Sequence, residues 1–186
     1  AFGAVPLIYG SLMITLIAMI VAAFMAGLGV GSHLGGRFSL RLTPRRALLS
    51  FALVELGIGA FGAVSCGLFY DLLYRRAAGL YASPWIAGVM HFASLAVPTL
   101  LMGTSLPFLV RAMVAEARTA GRTIGVLYGI NLLGAAAGAF LTPLVLIRLY
   151  GVRGAVCWAA AGNAAAGLLA LALYAYFRRR AAEAFA

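Results

Sequence analysis

The apolar positions of this chain fall into long unbroken runs, and its charged positions fall almost wholly between them. The runs cover roughly residues 7–30, 47–70, 84–110, 124–147 and 154–177. A helix rises ~1.5 Å per residue, so each run can cross a hydrocarbon layer of ~30 Å. The punctuation is specific. Arg37, Arg41, Arg45 and Arg46, with Pro44, end the first run. A polar connection from Asp71 to Ser83 carries Arg75 and Arg76, and Pro84 opens the third run at a favourable first-turn position. A basic connection, Arg111 to Thr123, follows, then a tight turn from Arg148 to Arg153, and Arg178 to Arg180 stop the last run. The pattern predicts an all-α integral membrane protein. Five transmembrane helices form a bundle over residues 1–180, with a short tail at 181–186.

Within the runs, glycines recur every fourth residue. Gly27, Gly31 and Gly35 share one helix face at the end of the first run. In the fourth run Gly121, Gly125 and Gly129 share one side, and Gly134 and Gly138 share another with the lone polar Asn131. Small residues four apart let helix backbones approach closely in lipid, where packing drives association. Two such faces predict a fourth helix wedged between two neighbours. The plainer account is that Gly and Ala are simply common in membrane helices. Pro98 and Pro107, with Gly103 between them, interrupt the third run. Each proline removes a backbone donor, so two kinks are expected there.

Composition sharpens the class. The chain is 65% hydrophobic and only 10% charged, with a mean hydropathy of +1.05. A net charge of +10 in a soluble protein would suggest nucleic acid. Here the arginines flank apolar runs, so topology accounts for them and no nucleic-acid partner is called for. Ten arginines fall in segments 37–46 and 111–123 and the C-terminal tail, against four in the other connections. The positive-inside rule makes the richer side, with the C-terminus, cytoplasmic. Five spans then leave the N-terminus outside, and a sixth, upstream span would restore an even count. The chain opens at Ala1 without a basic leader, which is expected of a processed or truncated start rather than a secretory signal. There is no lysine, which excludes a Walker lysine or a Schiff base. Cys66 and Cys157 lie inside apolar runs and are expected as buried packing residues, with a disulfide as the lesser alternative.

Candidate chemistry is sparse. Glu55 is the one acid within a run, and an intramembrane acid is a functional-site hypothesis by default. It could carry a proton or pair with a cationic polyamine; alternatively it is a protonated acid bonded to a neighbouring helix. Asn131 lies at similar depth and could bond Glu55 or serve as interhelical glue. His91 approaches from the other side, either as a relay to Glu55 or as a satisfied histidine. His33 sits at the end of the first run without a second ligand nearby, so no metal site is called, and no cofactor either. No paired carboxylates or nucleophile–base pair support catalysis.

Four motifs carry a resemblance. FMAGLGVGSHLGGR (Phe24 to Arg37), ELGIGAFG (Glu55 to Gly62), PTLLMGTSLPFLVRA (Pro98 to Ala112) and LYGINLLGAAAGAF (Leu127 to Phe140) resemble, in order, the membrane-embedded N-terminal domain of spermidine synthase-like proteins. These are bacterial fusions of a transporter-like domain with a synthase. The resemblance implies a helical bundle similar to half of a major facilitator fold, in a bacterial inner membrane. Leu132 stands where that pattern has threonine, and Leu40 where the related cytoplasmic motif has aspartate. No strand–glycine-loop–helix unit of a synthase domain is present.

Three functions fit. The first is a non-catalytic membrane domain or subunit that scaffolds or binds partners, with the bilayer, other membrane subunits or a second copy as its partners. The second is a small transporter of a cationic or amphipathic, polyamine-like solute. The third is the membrane anchor of an aminopropyltransferase. The chain itself is not expected to catalyse aminopropyl transfer.

Overall fold

The computed structural model describes residues 3–76, 79, 83–114 and 117–183. Part of the 71–83 connection, Glu116 and the last three residues of the tail lie outside them. The described residues form helices α1 (Val5–Ser39), α2 (Pro44–Cys66), α3 (Pro84–Met113), α4 (Ala117–Leu141) and α5 (Ile147–Glu183). No strand occurs among them. A π-helical stretch, Gly67–Arg76, extends α2, and another, Thr142–Leu146, joins α4 to α5. The second contains Pro143, whose missing N–H cannot complete an α-helical ladder.

The count of membrane-length helices differs from the five spans expected: among the described residues four are long and apolar enough to cross a membrane, Val5–Ser39, Pro44–Leu72, Gly88–Met113 and one of 64 residues, Arg118–Ala181, which takes in both α4 and α5. The anticipated loop at 148–153 is a single-residue break. Gly151 alone leaves the helix, at φ 67 and ψ −179, a region that only glycine adopts readily. The ring of Tyr150 lies 5.9 Å from that of Trp158, and the missing side chain of Gly154 leaves room for the Cβ of Tyr150. Without that break the segment would run ~96 Å, about three hydrocarbon thicknesses.

The α1–α2 connection is short because its ends are well capped. Thr43 is extended (φ −70, ψ 155), its hydroxyl accepts the Arg46 N–H at 3.4 Å, and Pro44 fills the first helical position. From the other side Arg111 Nε donates to the Leu42 carbonyl at 3.0 Å, tying the end of α3 to this turn.

Helix directions follow from which residues meet. Gly27 faces Thr99, Gly31 faces Leu100 and Gly103, and Gly35 faces Thr104, so α1 and α3 run parallel. Glu55 meets Ser105 and Gly57 meets Leu101, so α2 is antiparallel to α3. Gly59 abuts Ala160 and Ala164 while Gly167 abuts Ala52 and Leu56, so α5 is antiparallel to α2. The C-terminal ends of α1, α3 and α5 therefore share one end of the bundle, with Arg37, Arg111 and Arg178 to Arg180. At the opposite end Arg153 lies over the Tyr70 ring, 5.9 Å from its centroid.

The α1–α3 seam is backbone against backbone. A Cβ on Gly103 would lie 2.5 Å from the Leu28 carbonyl oxygen and 2.9 Å from Gly31 Cα. On Gly35 it would lie 2.8 Å from Thr104 Cα. α3 runs unbroken through Pro98 and Pro107, so the expected interruption does not divide it. Pro107 cannot donate to the Gly103 carbonyl four residues earlier. Ser32 of α1 donates to that carbonyl instead, at 3.1 Å. A neighbouring hydroxyl thus replaces the lost helical bond.

α4 is different. Nearly all of it is exposed, and a Cβ added at Gly121, Gly125, Gly129, Gly134 or Gly138 meets nothing within 4 Å. It touches the end of α3 and makes no substantial contact with α5 among the described residues. Among the described residues α4 is not wedged between two neighbours, contrary to the expectation from its glycine spacing. Spacing creates room for a close partner but does not supply one.

Candidate functional site at the centre of the bundle

The site is built on α2. Glu55 is the central residue of that helix, ~16 Å from its start at the helical rise. Its neighbours on the face toward α5 are Ala52 and Gly59, small enough to bring α5 close. Its side chain turns toward α3 and is only 9% exposed. There Ser105 Oγ donates to Glu55 Oε1 at 2.5 Å. Helical spacing puts Ser105 one residue past Thr104, which packs on Gly35 of α1. The pair therefore sits where α2 meets the α1–α3 seam.

A buried carboxyl is costly unless hydrogen-bonded. The Ser105 hydroxyl meets part of that requirement and fixes the rotamer. Among the described residues no basic side chain pairs with Glu55; the ion pair found there is Arg75 with Asp71, at 3.6 Å on the exposed surface. What the arrangement offers chemically is an acceptor at the middle of a helical interface, held by a neutral donor. That group can bind a proton or face a cation. Among the described residues Glu55 is the buried acid.

The other sequence candidates lie apart. Asn131 is exposed on α4, and the bond to Glu55 is made by Ser105 in its place. His91 is exposed and sits 14 residues before Ser105 on α3, ~21 Å along the helix, so it does not join Glu55. Cys66 and Cys157 are both free; Cys66 is half-buried and Cys157 exposed rather than buried. Sequence reading missed Ser105 and Ser32. Ser32 had a usable signal, since Pro107 frees the Gly103 carbonyl and calls for a hydroxyl nearby. Ser105 had none, because its partner lies 50 residues away.

Comparison with known proteins adds a relationship. The chain is 32% identical over 158 residues to a polyamine aminopropyltransferase of Corynebacterium efficiens, covering 83% of this chain and 27% of that protein. It is 31% identical over 167 residues to the polyamine aminopropyltransferase of Mycobacterium tuberculosis, covering 84% and 29%, and equally to that of Mycobacterium bovis. This chain is a distant homologue of polyamine aminopropyltransferases. That is consistent with a spermidine synthase-like relationship, and the chain spans less than a third of the length of these relatives. No protein-family profile matches it, and no solved structure does.

Proposed function

We infer that this chain is the membrane-embedded helical part of a spermidine synthase-like protein, and that it scaffolds, anchors or binds partners rather than transferring aminopropyl groups. One observation carries the reading: the portion that aligns with the aminopropyltransferases is made of apolar helices long enough to span a bilayer. Its buried acid among the described residues is Glu55, engaged between helices. A transfer reaction needs a base in reach of the amine proton, and a bulky charged donor would have to enter the apolar bundle to meet Glu55. In this reading the bundle end that carries Arg37, Arg111 and Arg178 to Arg180 is cytoplasmic, in a bacterial inner membrane.

Washing membranes with alkaline carbonate should leave the chain in the pellet; its release would remove the membrane reading. Purified chain should convert no putrescine to spermidine above a Glu55→Gln control. Turnover above that control overturns the non-catalytic part. Orientation is read from Arg41→Cys and Gly79→Cys, each in a background lacking Cys66 and Cys157. In intact cells an impermeant thiol reagent should label the second and spare the first.

The buried Glu55 also favours a second reading, a conduit for a polyamine-like cation. One half-bundle does not alternate access by itself, so this reading requires two copies. It predicts cation uptake into proteoliposomes that Glu55→Gln abolishes, and equal uptake by both proteins would eliminate it.

A further inference from the structure

At the arginine-bearing end of the bundle a cleft of about 700 Å³ opens between α1 and α3 beside the first turns of α4. Its lining has two parts. Arg37 of α1 and Arg111 of α3 form a cationic rim with His33 beside it, while Leu106 and Val110 of α3 and Ile124 of α4 form an apolar wall. Both arginines stand at the C-terminal ends of parallel helices. Arg111 is pre-set by its bond from Nε to the Leu42 carbonyl, which holds the guanidinium in one orientation at the cleft. Among the described residues no carboxylate pairs with Arg37 or Arg111. An arginine fork presented this way matches phosphate oxygens better than any neutral group.

We propose that this cleft binds an anionic phospholipid, with the phosphate held by Arg37 and Arg111 and an acyl chain laid along Leu106, Val110 and Ile124. This rests on the reading that the helices lie in a bilayer. The occupant follows from the lining. A soluble anion would use the rim and leave the apolar wall wet, whereas a zwitterionic lipid would bring no net charge to the two arginines. Basic pockets between membrane helices on the positive side recognise acidic headgroups in this way. The site also has a structural consequence. Its walls belong to α1, α3 and α4, so an occupant would bridge α4 to the seam that α4 barely touches.

The test uses the purified protein in mixed micelles with phosphatidylglycerol or phosphatidylcholine, and in detergent with inorganic phosphate. Bound lipid is counted by native mass spectrometry. Phosphatidylglycerol should be retained roughly tenfold over phosphatidylcholine, and Arg37→Gln should remove most of that preference. Arg178→Gln with Arg179→Gln, outside the cleft, should leave it unchanged. Val110→Trp fills the wall without touching charge and should also lower retention; it serves where Arg111→Gln disturbs the turn at Leu42. Equal loss in the tail variant would assign the effect to general surface charge and overturn the site. Competition by phosphate alone at the affinity of the lipid would overturn the lipid as occupant. Equal retention of the two lipids would overturn the proposal outright. The carbonate wash reports on the membrane reading separately, since it does not depend on lipid headgroup.

Discussion

The α1–α3 seam and α4 carry the same sequence device and use it differently. Gly27, Gly31 and Gly35 recur every fourth residue, as do Gly121, Gly125 and Gly129 and the pair Gly134 and Gly138. In α1 Gly27, Gly31 and Gly35 each meet backbone or side-chain atoms of α3. In α4 none meets anything. The seam adds what α4 lacks: glycine on the opposing helix at Gly103, and the Ser32 hydroxyl that serves the carbonyl freed by Pro107. Close packing needs two complementary surfaces, so one glycine stripe is necessary for a seam and insufficient for it. Glycine and proline, weak residues in an isolated helix, become the means by which two helices lock together.

The comparison can be broken most decisively at Gly103. Gly103→Leu must push its side chain into the Leu28 carbonyl and Gly31. Overpacking of this kind costs ~3 kcal/mol, at the upper end of the usual range. A thermal melt in detergent should show a large loss, and a melt within a degree of the parent would refute the tight seam.

Next in size is Gly151→Ala, at the break inside the first turns of α5. With φ 67 and ψ −179, any side chain there is strained by about 2 kcal/mol. The expected readout is lowered stability together with faster proteolysis near residue 151. An unchanged protein would mean that the break is not held at that conformation.

A smaller effect is expected from Ser32→Ala, which leaves the Gly103 carbonyl without the donor that Pro107 cannot provide. Interhelical hydrogen bonds between apolar helices average ~0.6 kcal/mol and leaving a part-buried carbonyl unpaired adds to that, so the loss should be about 1 kcal/mol. Adding Pro107→Ala should recover part of it by restoring the helical N–H. No recovery in the double variant would separate the serine from the proline.

The smallest effect belongs to Gly134→Leu. With nothing within 4 Å, the isolated chain should change by less than ~0.5 kcal/mol, as exposed substitutions usually do. A loss comparable to that of Gly103→Leu would show that a second surface covers α4 and would erase the contrast between the two regions.

Much of this protein is legible without coordinates. Unbroken apolar runs of this length, with arginines between them, point to long apolar helices, because a helix satisfies its own backbone bonds within one segment. Pro44 and the arginines around it divide the first run from the second, and Glu55 announces itself as the lone acid in an apolar helix. Other features depend on distant parts of the chain. Whether Arg148 to Arg153 form a loop or a one-residue break turned on the backbone at Gly151. Which glycines make a seam turned on what stands opposite them, and a helix does not carry that information in its own spacing. Glu55 could be picked out by its type, yet its partner could not. Ser105 is an ordinary hydroxyl in an apolar helix until antiparallel packing of α2 on α3 brings it to the carboxyl. The periodicity of one helix determines its faces, whereas the choice among faces is made by pairwise packing between segments far apart in the chain.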